Sequence, residues 1–167
     1  MKDGGNTVLV YGYGNPGRLD DGLGPAAVEL LEKAQIKNVS LDSDYQLTVE
    51  DAADVAQHDF VVFVDADVSG PAPFWFGAVE PEASLSFSSH SVKPEALLDM
   101  ARELLGGSTK GYILGIRGYE FNEFGERLSA GAQDNLKNAV SFMLELLEGN
   151  DFEQRAKEGL TRFKKER

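Results

Sequence analysis

The chain has no cysteine among its 167 residues, which removes disulfides, thiolate metal sites and cysteine nucleophiles together. Histidine is scarce, with only two, so any imidazole ligand or base is His58 or His90. Positive charge is also short. Sixteen Lys and Arg face 28 Asp and Glu, a formal net charge of −12, which repels nucleic acid and anionic membrane surfaces and leaves cations and basic partners compatible. No run approaches the roughly 18 apolar residues of a membrane-spanning helix, and Met1 to Asn6 carries no apolar leader core, so a cytoplasmic protein is expected. No G-x-S-x-G nucleophile elbow occurs either.

What is present is a 42% hydrophobic composition in a length that suits one domain, since single cores serve roughly 100 to 200 residues. Short β-branched runs alternate with helical patterns. Strands are expected near Val8 to Tyr11, Val39 to Leu41, Phe60 to Val64, Ala72 to Val79 and Tyr112 to Ile116. The run from Ala72 reads as an edge strand, because proline and glycine interrupt it. Helices are expected from about Pro25 to Lys33, from Thr48 as N-cap to Gln57 with Asp51 in the capping-box position, from Pro94 to Leu105, and from Ala130 to Leu147. The pattern predicts a single α/β domain over residues 1–150, a twisted, mostly parallel five-stranded sheet flanked by helices on both faces. Residues 151–167, which mix acids and bases around few apolar positions, read as a solvated helix or a frayed tail.

The first turn, V-L-V-Y-G-Y-G-N-P-G-R-L-D-D-G-L-G from Val8 to Gly24, holds the chemistry. Gly12, Gly14 and Gly17 spell the G-x-G-x-x-G of dinucleotide loops. In such loops the helix opens within the glycines, so that its N-terminal N–H groups meet a pyrophosphate. Here the helical pattern starts only after Gly24. Asp20 and Asp21 would also place two charges beside an anion, a repulsion of about 1 kcal/mol each at 4 Å even in bulk water. A nucleotide-binding module, with Asp42 or Asp44 on the ribose, is therefore the minority reading, and the paired acids point to a cation.

In an open parallel sheet, ligands bind beyond the carboxyl ends of the strands. Asp21 follows the first strand, Asp65 closes the V-V-F-V strand, and His90 stands in a serine-rich loop before a helix. Two carboxylates and an imidazole suit a divalent metal, with nickel, zinc and manganese all compatible. Each has a plainer alternative. Asp20 and Asp21 are able to satisfy turn and helix N–H groups. Asp67 is a rival ligand to Asp65, with Asp65 then organising the loop. His90 competes with His58, which sits at the opposite end of the sheet. Ser86, Ser88, Ser89 and Ser91 read as loop hydrogen-bonding groups. Phe74, Trp75 and Phe76 read as edge-strand packing, or as a protein-binding patch if exposed.

The combination of G-x-G-N, an acid six residues on at Asp21, G-x-G, the V-D-A of the central strand and His90 before a helix resembles the hydrogenase maturation endopeptidases. The resemblance spans about Val8 to Leu147. It implies a protease that removes the C-terminal extension of a nickel-iron hydrogenase large-subunit precursor after nickel insertion. Nickel would arrive in the substrate and serve as the recognition signal, with Asp21, Asp65 and His90 as metal-binding and catalytic residues and Asp20 orienting Asp21. The expected partner is that precursor, and the expected state a monomer. A non-catalytic protein that binds the nickel-loaded precursor is a further alternative. The chain departs from the family at Tyr45 to Glu50, where some members are glycine-rich, and at Pro16 and Gly17, where apolar residues are commoner.

Overall fold

The computed structural model describes residues 5–83 and 92–166. Along the chain run β1 (Val8–Tyr13), a 3-10 turn (Leu19–Gly22), α1 (Leu23–Glu32), β2 (Val39–Asp44), α2 (Asp51–Ala56), β3 (Phe60–Asp67), β4 (Phe74–Val79), α3 (Pro94–Glu103), β5 (Lys110–Arg117), α4 (Ala130–Gly149) and α5 (Phe152–Glu166). The five strands form one sheet in the order β2-β1-β3-β5-β4. Four are mutually parallel, and β4 runs antiparallel to β5 at one edge. This is the expected five-stranded, mostly parallel α/β sheet, with Phe74–Val79 at the edge where its proline-flanked sequence placed it.

Strand periodicity builds the two layers. Val8, Val10, Val62 and Val64 face the cluster formed with Leu23, Val28 and Leu31 of α1, Met143 and Leu146 of α4, and Phe152. Leu9, Tyr11, Val61 and Phe63 point the other way, onto Ala52 and Val55 of α2 and Leu97, Leu98 and Ala101 of α3. Successive strand residues point to opposite faces, so one apolar run feeds both cores. Tyr13, partly buried, continues the α2 and α3 face at the carboxyl end of β1, and Asp65 falls on that face by the same alternation.

Because β2 lies on one side of β1 and β3 on the other, the chain reverses its direction of travel between β1 and β3. The α1 and α2 connections therefore cover opposite faces, and a crevice opens where they part, the preferred ligand position of such sheets.

Three local expectations change. The first helix begins before Gly24, with a 3-10 turn from Leu19 and α1 from Leu23. Gly12 and Gly24 allow this, since a Cβ on Gly12 would collide with the Gly24 carbonyl, so their bareness sets the close seat of α1 on β1. The second helix starts at Asp51, with Glu50 and not Thr48 at its N-cap. Asp51 still reaches back to accept the Thr48 N–H at 2.8 Å, half of a capping box. Residues 152–166 are a helix with one docked side. Phe152 stacks on Phe60 at 4.4 Å and on Tyr112 at 5.5 Å, Ala156 is buried, and Gly159 lies against the Phe76 carbonyl. Two or three apolar contacts in a highly charged segment suffice to fix it on β4.

Candidate functional site

The loop after β1 is shaped by its own side chains. Gly14 takes φ +141°, open to glycine and rare for other residues, and any Cβ there would strike the Asp21 carbonyl. The Asn15 N–H donates to Asp21 Oδ2 at 2.8 Å, and the Gly17 N–H donates to Asn15 Oδ1 at 2.8 Å. Two loop N–H groups that would cradle a phosphate are thus already taken, one of them by a carboxylate. The glycine loop serves packing and aspartate placement, which removes the structural basis for a nucleotide reading.

The adjacent aspartates divide their roles. Asp20 is fully buried and faces away from the crevice, into the connection between β5 and α4. Its carboxylate accepts the N–H groups of Tyr119 (2.7 Å), Glu120 (2.9 Å) and Ser129 (2.8 Å) and the Ser129 hydroxyl (2.7 Å). Burial acts to raise its pKa, yet the bonds from Glu120, Ser129 and Tyr119 outweigh burial and hold the carboxyl below its ordinary value. Among these contacts none reaches Asp21. The direct orienting contact expected between Asp20 and Asp21 is not among them; the two residues share the 3-10 turn. Ser129 in turn caps α4, its hydroxyl accepting from the Ala132 N–H at 3.2 Å.

Asp21, half-buried, lies near Asp65 in the crevice between β1 and β3. Burial pushes the Asp65 carboxyl up to about 7, and the Asp21 and Asp67 charges add to the rise. The Ala66 N–H, donating at 2.8 Å, and the Tyr13 hydroxyl oppose it. Tyr13 is itself driven upward by burial and by the Asp65 and Glu95 charges. Without a cation, Asp65 therefore retains a proton close to neutrality, as a carboxyl facing another carboxylate in a partly dry site must. Tyr13 was missed from sequence. Its signal is strand alternation, which puts residues 11, 13 and 65 on one face.

The rival groups carry hydrogen bonds of their own. Asp67 closes a turn, accepting the Ser69 and Gly70 N–H groups at 3.0 and 2.9 Å. His58 is tied to the Asp54 carbonyl at 2.6 Å and the Ser40 hydroxyl at 3.0 Å, near the start of β3. Phe74 and Phe76 pack on Phe142 at 4.9 and 5.2 Å, as edge-strand packing requires. His90, with Ser86, Ser88, Ser89 and Ser91, lies outside the described residues. Among the described residues no three His, Asp or Glu side chains group to hold a metal. Asp21 and Asp65 supply two hard oxygen donors, and α3, whose Glu95 charge reaches Tyr13, begins four residues after His90.

The carboxylate pair thus stands at the switch point of an open α/β sheet, the place where such sheets hold their ligands. Solved structures share this fold. The chain superposes on the hydrogenase maturating endopeptidase HybD from Escherichia coli with TM-score 0.68, at 23% identity over 88% of this chain and 95% of that one. It superposes on the [NiFe] hydrogenase maturation protease HycI from Thermococcus kodakarensis with TM-score 0.65, at 21% identity over 87% and 95%. For the hydrogenase 2 maturation peptidase from a Thaumarchaeota archaeon the values are 0.63 and 24%, over 85% and 98%. No protein-family model and no curated relative matches the chain. The fold is that of the hydrogenase maturation endopeptidases. No helix among the described residues is long and apolar enough to cross a membrane.

Proposed function

We propose that this protein is an endopeptidase that removes the C-terminal extension from a nickel-loaded hydrogenase large-subunit precursor, with Asp21, Asp65 and His90 gripping the nickel that the substrate carries. The observation that carries the reading is the Asp21 and Asp65 pair, two carboxylates brought together at the switch point with Asp65 raised to about 7. A divalent cation entering the crevice relieves that repulsion and displaces the Asp65 proton. Two carboxylate oxygens and one imidazole leave coordination positions that the precursor's own ligands fill, so nickel bridges enzyme and substrate and marks the mature precursor. The likeness to solved maturation proteases supports the same reading, as does the retained spacing from Asn15 to Asp21. A cytoplasmic, monomeric enzyme belongs to this proposal.

The chain's own residues have separable tasks. The Asn15 N–H fixes one oxygen of Asp21. The Ala66 N–H and Tyr13 hydroxyl orient Asp65. Burial keeps competing water from the pair, which strengthens its attraction for a cation. Peptide hydrolysis then requires a water delivered to the scissile carbonyl beside the bound metal.

The test is intact-mass spectrometry of a nickel-loaded large-subunit precursor from the same organism, incubated with the wild-type protein and separately with His90→Ala. A single discrete C-terminal loss with wild type alone is expected. Binding of the precursor with no loss of mass would favour the non-catalytic precursor-binding protein instead. Equal trimming by His90→Ala would remove His90 from the site.

A further inference from the structure

Phe124 is 85% exposed, the most exposed large hydrophobic side chain among the described residues, yet its loop is not loosely held. The Leu19 N–H donates to the Gly125 carbonyl at 2.9 Å, the Gly125 N–H to the Gly17 carbonyl at 2.8 Å, and the Asp20 N–H to the Glu120 carbonyl at 3.0 Å. The Asp20 carboxylate adds its bonds to Tyr119, Glu120 and Ser129. Residues 118–128 are in this way tied to the loop that bears Asp21. An aromatic ring held in solvent on a fixed main chain is a surface prepared for a partner, because the ordering that binding usually demands has already been met.

Arg18, three residues before Asp21, lays its guanidinium over the Phe124 ring, 5.5 Å from the centroid. The two other cations of this region are already committed. Arg117 lies over Tyr119 at 5.1 Å but donates to the Gly70 and Gly118 carbonyls, and Arg127 pairs with Glu120 at 3.4 Å. Arg18 has no ion pair among the described residues, although the chain carries a net −12 and Glu123 and Glu126 flank Phe124 and Gly125. A guanidinium stacked on a ring keeps its in-plane N–H donors free, the geometry that takes a carboxylate in two parallel bonds.

We infer that Arg18 and Phe124 form the specificity platform for the precursor. The platform docks an extended peptide segment next to the cleavage point, with an acidic side chain on Arg18 and an apolar one against Phe124. Elsewhere the acidic surface repels such a segment, and here it meets an unspent cation three residues along the chain from Asp21. This inference rests on the endopeptidase reading and adds how the peptide is chosen.

The experiment is steady-state cleavage of the nickel-loaded precursor by wild type, Arg18→Glu and Phe124→Ala, with Leu104→Ala, an exposed leucine following α3, as the control. We expect Arg18→Glu to raise KM about tenfold or more and Phe124→Ala about fivefold, each with kcat within about twofold, since the platform binds ground and transition states alike. Added salt raises the wild-type KM and leaves that of Arg18→Glu nearly unmoved. An unchanged KM in both variants would overturn the platform, and so would a fall confined to kcat. If wild type binds the precursor without cutting it, the endopeptidase reading fails. A calorimetric titration with the same precursor, weakened by Arg18→Glu, would then still support the platform, and equal binding by wild type and variant would overturn it.

Discussion

Two neighbouring regions of this molecule treat a buried carboxylate in opposite ways. At the joint between the first loop and the β5 to α4 connection, Asp20 is surrounded by four donors and held below its ordinary pKa. In the crevice one residue further on, Asp21 faces Asp65, and Asp65 is pushed up to about 7. The first region has settled its charge internally, so it serves as structure. The second is left short of positive charge, so it has binding capacity. Adjacent, chemically identical side chains acquire different work from the direction in which a 3-10 turn points them.

The comparison breaks most severely at the crevice. On the proposed reading, Asp21→Ala or Asp65→Ala should lower precursor processing by at least about 1,000-fold, which is about 4 kcal/mol of barrier, because an oxygen proposed to hold the metal disappears. The circular dichroism spectrum should stay near wild type, and a variant that retains normal processing would detach that aspartate from the site. At the joint the reverse is expected. Asp20→Ala strands three N–H groups and a hydroxyl and should cost about 3 kcal/mol or more of folding stability by urea denaturation, since unsatisfied buried donors bear full desolvation costs. A loss under about 1 kcal/mol would mean that water replaces the carboxylate without strain.

Acidity sharpens the contrast. With its folded pKa near 7 against an ordinary 3.8, Asp65 keeps its proton in the fold after the unfolded chain has released it. Its contribution to stability is complete below the ordinary pKa and is lost as pH rises toward 7, at up to about 1.4 kcal/mol per pH unit. Asp20 runs the other way, its contribution present at neutral pH and lost as the medium is acidified through its depressed pKa. In metal-free protein, the stability advantage of Asp65→Asn over wild type should therefore widen between pH 4 and pH 7 and then level off. A flat difference across that window would show that Asp65 is not strained by burial. The smallest effect is at the cap: Ser129→Ala removes one donor to Asp20 and the α4 N-cap together, for about 1 kcal/mol, readable as a shift in the denaturation midpoint.

Much of this architecture is legible in the chain itself. The strands stand out because Val8 to Tyr11 and Phe60 to Val64 are apolar on both faces, as a doubly covered sheet demands, and Asp65 stands out because an acid ends such a run. The division between Asp20 and Asp21 does not stand out. The partners that define Asp20 lie 99, 100 and 109 residues away, and no local spacing encodes so distant a contact. The docking of α5 is hidden for a similar reason, since Phe152 and Ala156 are few among charges and their significance appears only when Phe60 of β3, Tyr112 of β5 and the β4 edge supply the opposing surface. Tyr13 lies between the two cases. Its face follows from counting along β1, but its hydroxyl matters only once β3 brings Asp65 beside it.

The far edge of the sheet adds a different consequence. Strand β2 ends the sheet opposite β4 and pairs only with β1, so one row of its backbone groups is open to another extended chain. Its sequence, V-S-L-D-S-D, leaves Asp42 and Asp44 exposed there. Such charges keep identical edges from zipping together. They also make colloidal behaviour depend on acidity, because Asp42 is shifted upward by burial and by Asp51, Asp54 and Asp44 against the bond from the Ser43 N–H. As a solution is acidified, this edge sheds its mutual repulsion early, and strand-to-strand aggregation should start here while the core remains folded.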